Sequence, residues 1–296
     1  MNTTTNTAFS YFPGCSVQGT NKAYGISTQK VAKVLGLELV ELDDWNCCGA
    51  TAYMSIHEKH SFILCARNLA LAEKEGRDLV TVCNGCYLVL RKTSKYMAED
   101  AKLRVDIQKA LAAGGMEYNG HVQVRHFLDV VVRDVGEERV RESVTKPLAG
   151  LKVAPYYGCQ IGRPFAEIDD AEDPQMMDRL TEWIGAEPVE FPLKAKCCGG
   201  MMMTTQSEIG QELSGKILRN AKRAGADCII TACPLCQLNL EGYQDAAGAA
   251  VGADCDIPVL YFTQLLGVAQ GLSPKDLALA DSLTPVEAVL AEKVRS

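Results

Sequence analysis

Ten cysteines in this chain spell one pattern twice. The first copy is Cys15, then Cys47-Cys48-Gly49, then Cys83-Asn84-Gly85-Cys86. The second is Cys159, then Cys197-Cys198-Gly199, then Cys233-Pro234-Leu235-Cys236. The last four cysteines of each copy keep one offset (197−47, 198−48, 233−83 and 236−86 are all 150), while the leading pair differs (159−15 is 144). Self-similarity at a fixed period marks a repeated structural unit. Clustered thiols at these spacings are metal ligands sooner than disulfides in a large chain with no export signal, because the cytosol keeps thiols reduced. Thiolate-rich sites suit zinc or iron–sulfur groups. Zinc takes four ligands, as does a cubane cluster, yet each copy offers five cysteines. The fifth is then idle, bridging, or a resolving thiol. A dithiol of the thioredoxin kind at Cys83/Cys86 or Cys233/Cys236 would leave the vicinal pairs without a role. Cys65, Cys228 and Cys255 fall outside the pattern and read as buried core thiols.

The elements that must position these residues alternate between strand and helix. In the first half, strands are expected at Ala8–Phe12, Leu37–Leu42, Leu79–Cys83 and Val122–Phe127. Helices are expected at Gln18–Leu35, with Ile26, Val31, Val34 and Leu35 as its apolar residues, at Ser55–Lys74, over most of Tyr87–Ala113, and from Leu128. In the second half, strands are expected at Lys152–Tyr156, Glu187–Phe191, Asp227–Cys233 and Pro258–Phe262, with helices at Asp173–Ile184, Ser207–Arg223 and Leu235–Ala246. This order predicts an α/β fold of two parallel sheets with right-handed crossovers. The boundary is placed at Pro147-Leu148-Ala149-Gly150, giving units 1–149 and 150–296, the first with a connecting helix and the second with a C-terminal helical cap. Every cysteine group then falls at the carboxyl end of a strand, where open parallel sheets bind ligands. A vicinal pair needs a turn, since neighbours on a strand face opposite ways, and Gly49 and Gly199-Gly200 permit one. Further echoes are Arg67-Asn68 with Arg219-Asn220, and Val124–Phe127 with Val259–Phe262.

Bulk properties narrow the function. The 296 residues are 47% apolar, enough for a core without disulfide staples. A net charge of −7 and a pI of about 5.3 argue against a nucleic-acid groove. No apolar run reaches the roughly 18 residues of a membrane span. Met1–Ala8 lacks the regions of a signal peptide and reads as a frayed tail, so a cytoplasmic location is expected. No ferredoxin-type cysteine run, dinucleotide fingerprint or Walker A motif is present, so electrons would come from a partner. Lys22, Arg163, Lys194 and Lys196 lie near the cysteine loops; Arg163 above all, and Lys22, are candidates to bind an anionic thiol substrate. His126, on an apolar strand, reads as a packed core residue rather than a proton donor. Met201-Met202-Met203 reads as core.

The spacing Cys–x31–Cys-Cys–x34–Cys-x-x-Cys, with x37 and x34 in the second copy, resembles the cysteine-rich CCG domain. Two such domains across nearly the whole chain resemble the B-type subunit of heterodisulfide reductase. The resemblance implies two Rossmann-like CCG domains, each holding a noncubane [4Fe-4S] cluster on five cysteines. Cys15, Cys47, Cys48, Cys83 and Cys86 would bind the first; Cys159, Cys197, Cys198, Cys233 and Cys236 the second. It further implies cleavage or formation of a mixed disulfide between the clusters by paired one-electron steps. The implied partners are a ferredoxin-like iron–sulfur subunit and, through it, a flavin-containing subunit. Iron–sulfur subunits of lactate-, glycolate- and glycerol-3-phosphate-oxidising complexes share CCG domains, and there the chain would only carry electrons. Cys48-Gly49-Ala50-Thr51 lacks the proline that follows this pair in methanogen members, which leaves the disulfide's identity open.

Overall fold

A computed structural model describes residues 7–51 and 53–293. Most of the expected tail, residues 1–6, lies outside them, while Ala8 already belongs to a strand. The first half contributes β1 (Ala8–Phe12), β2 (Glu38–Glu41), β3 (Leu79–Thr81) and β4 (Val124–His126). The second contributes β5 (Lys152–Tyr156), β6 (Glu187–Pro188), β7 (Cys228–Thr231) and β8 (Val259–Tyr261). Both sheets are fully parallel and have the same order, β2-β1-β3-β4 and β6-β5-β7-β8. The central strands are mostly apolar and buried, as parallel strands covered on both faces must be. Phe9, Phe12, Leu79 and Val80 fill the first sheet and Val153, Ala154, Ile229 and Ile230 the second, all buried.

Several expected elements are shorter or broken. The helix expected over Gln18–Leu35 is two, Cys15–Gln18 and Lys22–Val34, and Ile26 and Val34 turn outward while Tyr24 and Val31 face the core. The long helix expected after Tyr87 splits into Asn84–Glu99 and Ala101–Ala113. Asp100 causes the break: extended there, its carboxylate caps the second helix by accepting from Lys102 N and Leu103 N. Only Glu187–Pro188 of the expected Glu187–Phe191 strand pairs with β5: Val189 N–H still donates to the Val153 carbonyl, but the next donor on β5 would be Pro155, which has no N–H. The helix after Cys159 begins at Met176 rather than Asp173, following a loop in which Asp169 and Asp170 accept backbone N–H groups. After β4 the chain forms a π-helical turn, Val130–Val135, and then the charged helix Gly136–Ser143.

The interior does not stop between the halves. One hydrophobic core joins Phe9, Phe127 and Val131 to Tyr157, Leu180, Tyr261 and Phe262. Tyr24 stacks on Tyr261 with ring centroids 3.9 Å apart. Polar ties reinforce it. Asn21 Nδ2 donates to the Tyr261 hydroxyl at 2.7 Å, the Ser27 and Thr263 hydroxyls meet at 2.7 Å, and Asn84 Nδ2 donates to the Tyr157 carbonyl at 2.8 Å.

Candidate metal centre

The cysteine loops are shaped by glycine. Gly14, after β1, has φ +79°, and a Cβ there would sit 2.9 Å from Cys86 Sγ. Gly158, after β5, has φ +69°, and its Cβ would sit 3.1 Å from Cys236 Sγ. In both halves, then, the glycine before the leading cysteine makes room for the last one. The vicinal pairs turn as expected, with Gly49 at φ +75° and Gly199 at φ +92°. Gly49 N–H donates to Cys47 Sγ at 3.4 Å. Each turn leaves one cysteine outside and sends one in: Cys47 and Cys197 are exposed, Cys48 and Cys198 buried. Cys83 and Cys233 stand at the N-termini of helices Asn84–Glu99 and Pro234–Glu241, one turn below Cys86 and Cys236.

All ten cysteines line one cavity of about 150 Å³, five from each half. The rest of its wall is Ser16, Ala50, Thr51, Gly85, Gln160, Gly200, Met201 and Leu235. Sulfurs approach in pairs, with Cys15–Cys47 at 3.7 Å, Cys48–Cys86 at 3.3 Å and Cys198–Cys236 at 3.6 Å. A hydrogen bond from Cys233 holds the Cys83 thiol well below its usual range, so the two sets also touch each other. Hydrogen bonds from Cys159 and Cys198 bring Cys197 down to about 2, and the proton kept by Cys198 in that bond, together with burial, pushes Cys198 up to about 12. Such sharing leaves each set with a thiolate, the form in which cysteine ligates.

Several residues that position the site were not legible in the sequence. Ser61 Oγ donates to the Cys48 carbonyl at 3.0 Å, and Ser214 Oγ to the Cys198 carbonyl at 2.9 Å. They follow their cysteines by 13 and 16 residues, so they slip out of the fixed offset. The Arg–Asn echo, by contrast, has no common role. Asn68 pairs with the backbone of Asn46 and Arg67 binds Asp44, fastening the first vicinal loop. Arg219 donates to the Val251 carbonyl and Asn220 to the Lys216 carbonyl, neither of them a residue of the vicinal loop.

The charged candidates are placed elsewhere. Lys22 lines a separate cleft with Asn21, Gln237 and Glu241. Arg163 gives its guanidinium to the Ala195 carbonyl at 2.9 Å and to Glu172. Lys194 is buried against Asp173 at 2.7 Å, and Lys196 faces Glu172 at 3.6 Å. None of the four is among the residues lining the cysteine cavity. The methionine run divides: Met203 is core as expected, but Met201 lines the cavity. His126 is fully buried, its Nδ1 accepting from Leu128 N at 3.2 Å.

A model of the cysteine-rich domain (CCG) family matches residues 9–91 and again 153–241. The chain belongs to the CCG family. Each CCG match spans the three strands that carry one set of five cysteines. The chain is 34% identical over 275 residues to the B-type subunit of the ferredoxin/F420H2-dependent CoB-CoM heterodisulfide reductase of Methanosarcina acetivorans, covering 91% of each chain. It is 33% identical over 273 residues to the 8-methylmenaquinol:fumarate reductase membrane anchor subunit of Wolinella succinogenes, covering 92% of this chain and 95% of that one. The resemblance drawn from the cysteine spacing is therefore borne out. A crystal structure of a hypothetical protein from Helicobacter pylori superposes with a TM-score of 0.76 at 16% identity, over 95% of this chain and 52% of that one, and shows the fold alone. Among the described residues of this CCG protein, no helix is long and apolar enough to cross a membrane.

The glycines before the CCG cysteines give a test. Gly14→Ala and Gly120→Ala both force alanine into positive φ, at about 1–2 kcal/mol. Nothing lies within 4 Å of a Cβ at Gly120, whereas Gly14 is against Cys86. Thermal denaturation should show a lowered midpoint for both, and only Gly14→Ala should change the rate at which a thiol reagent labels the unfilled site. Equal labelling would mean that Gly14 serves the turn and not the sulfur.

Proposed function

We propose that the chain is the disulfide-handling iron–sulfur subunit of a heterodisulfide reductase-like complex. The observation that carries this reading is the single cavity lined by five thiols from each half. The donor set fits a thiolate-ligated cluster. It is soft, its glycines leave room beside the sulfurs, and backbone N–H groups point at them. Cys15, Cys47, Cys48, Cys83 and Cys86 would hold one noncubane [4Fe-4S] cluster, and Cys159, Cys197, Cys198, Cys233 and Cys236 the other. When bound, each cluster supplies one-electron chemistry and iron sites for sulfur.

The reaction is R–S–S–R′ plus two electrons and two protons giving two thiols. The chain's own residues hold the disulfide between the halves. Ala50, Met201 and Leu235 give an apolar wall that limits water, and Ser16, Thr51 and Gln160 offer neutral hydrogen bonds. Among the described residues that line the cavity there is no carboxyl, imidazole or ammonium group, so on this reading the protons enter from solvent. The wall likewise offers no cation to an anionic thiol, so charged parts of a substrate stay outside. Electrons come from a ferredoxin-like partner.

Iron, zinc and acid-labile sulfide on anaerobically purified protein, followed by a disulfide panel with reduced viologen, test this. About four irons per half and consumption of at least one disulfide are expected. Zinc in place of iron would end the proposal. Full iron with no disulfide consumed would favour a second reading, an electron-carrying subunit; the 33% identical relative bears the name of a fumarate reductase subunit, not of a disulfide reductase.

A further inference from the structure

The two halves hold the buried vicinal cysteine alike except at one residue. In each, the cysteine carbonyl accepts two side-chain donors. For Cys48 they are Ser61 Oγ at 3.0 Å and the Cys65 thiol at 3.2 Å. For Cys198 they are Ser214 Oγ at 2.9 Å and Asn239 Nδ2 at 3.3 Å. A thiol has one proton, and Cys65 spends it on the carbonyl. An amide has two. One serves the Gly200 carbonyl at 2.9 Å, and the other is shared between the Cys198 carbonyl and Cys198 Sγ at 3.5 Å.

The backbone donors to these sulfurs are matched between halves. Gly49 and Ala50 serve Cys47 and Cys48; Gly199 and Gly200 serve Cys197 and Cys198. At the buried vicinal cysteine the side-chain donor is not matched; the first set's own side-chain donor, the Ser16 hydroxyl, serves Cys15, an exposed sulfur where water screens it. At the repeat offset, Asn239 corresponds to Val89, which is buried and has no polar side-chain atom. Asn239 is only 1% exposed, so water does not compete for its protons. A hydrogen bond on a ligating sulfur stabilises negative charge there, and in a buried place it acts with little screening. Adding an electron adds negative charge, so such a bond favours the reduced state and raises the potential.

We propose that Asn239 makes the two cysteine sets electronically unequal, so that a cluster on the second set accepts an electron at a higher potential than its counterpart on the first. This rests on the reading that the cysteines hold iron–sulfur clusters. Asn239 is a positioning residue: it acts through Cys198 and the Gly200 turn. An electron entering either set would settle on the second, and the two sulfurs of a bound disulfide would meet unequal neighbours.

The test is a redox titration of the iron-loaded full-length chain followed by EPR, for wild type, Asn239→Val and Val89→Asn. Wild type should show two separate midpoints. Asn239→Val should lower the upper midpoint and narrow the gap, and Val89→Asn should raise the lower one. Iron-loaded Asn239→Val with both midpoints unmoved would overturn the proposal, as would a single shared midpoint in wild type. Should Asn239→Val fail to load iron, Val89→Asn decides, an unmoved lower midpoint overturning the proposal. Wild-type protein without iron would bring down the cluster reading itself, an outcome distinct from unmoved midpoints in a loaded protein.

Discussion

Replacing Cys198 with serine should cost the protein about half its iron and lower disulfide reduction by about 100-fold or more. Cys198 is buried, it meets Cys236 at 3.6 Å, and it sits where the vicinal turn points inward. A hydroxyl stays protonated where a thiolate is required, so the second set loses its innermost donor. The first set is built by different loops and should keep its iron. Iron per chain and viologen-linked disulfide consumption are the measurements. Cys228→Ser supplies the contrast. Cys228 is equally buried, with its thiol pushed up to about 12 by burial, but it lies on β7 away from the cavity. Its replacement should leave the iron count unchanged. Full iron and full activity in Cys198→Ser would remove this residue from the ligand set and weaken the proposed function with it.

Stability should fall as pH drops from about 6.5 toward 4, and His126 should account for about 3 kcal/mol of the loss. The imidazole is fully buried between the halves, and burial holds its pKa down at about 4 against the usual 6.5. The carbonyls of Val82 and Ala232 favour the charged form but do not offset that burial. Between those two pH values the unfolded chain takes up a proton that the folded chain refuses. Stability is therefore full above the unfolded pKa and lost as pH falls through the window, by roughly 2 kcal/mol at pH 5. Asp178 and Glu241 work the other way, since burial raises both carboxyls and the folded state binds their protons more readily. The informative quantity is thus the difference between wild type and His126→Asn. Asparagine can still accept the Leu128 N–H at the helix start but does not titrate. Urea denaturation at pH 7.5 and 5 should show a smaller loss in the variant. Identical losses would place the pH sensitivity in other groups.

The repeat was legible because cysteines that share one cavity cannot drift relative to one another without leaving it. Their fixed offset showed that two sheets exist and which strand ends matter. The glycines of the vicinal turns were legible for the same reason. What could not be read were contacts that depend on three-dimensional approach. Ser61 and Ser214 do the same work, but three residues of slip between them hide the match. Asn239 and Val89 stand in register, yet nothing in the letters says that one of them reaches a sulfur. Arg163 and Lys22 looked well placed by their distance along the chain. Arg163 is occupied by Ala195 and Glu172, and Lys22 lies at the start of a helix beside another cleft. Helix breaks were missed where one capping carboxylate, Asp100, outweighed a continuous helical composition.

The continuous interior that joins Phe127 to Phe262 and Tyr24 to Tyr261 has a kinetic meaning. A cavity between two separately folded bodies can close like a clamshell, and capture then waits on a hinge. Here the walls are welded at their base by packed rings and by Asn21 and Asn84. The packed base leaves no separate hinge between the two rows of sulfur. On the proposed function, a guest would then be selected by its girth rather than by closure of the halves.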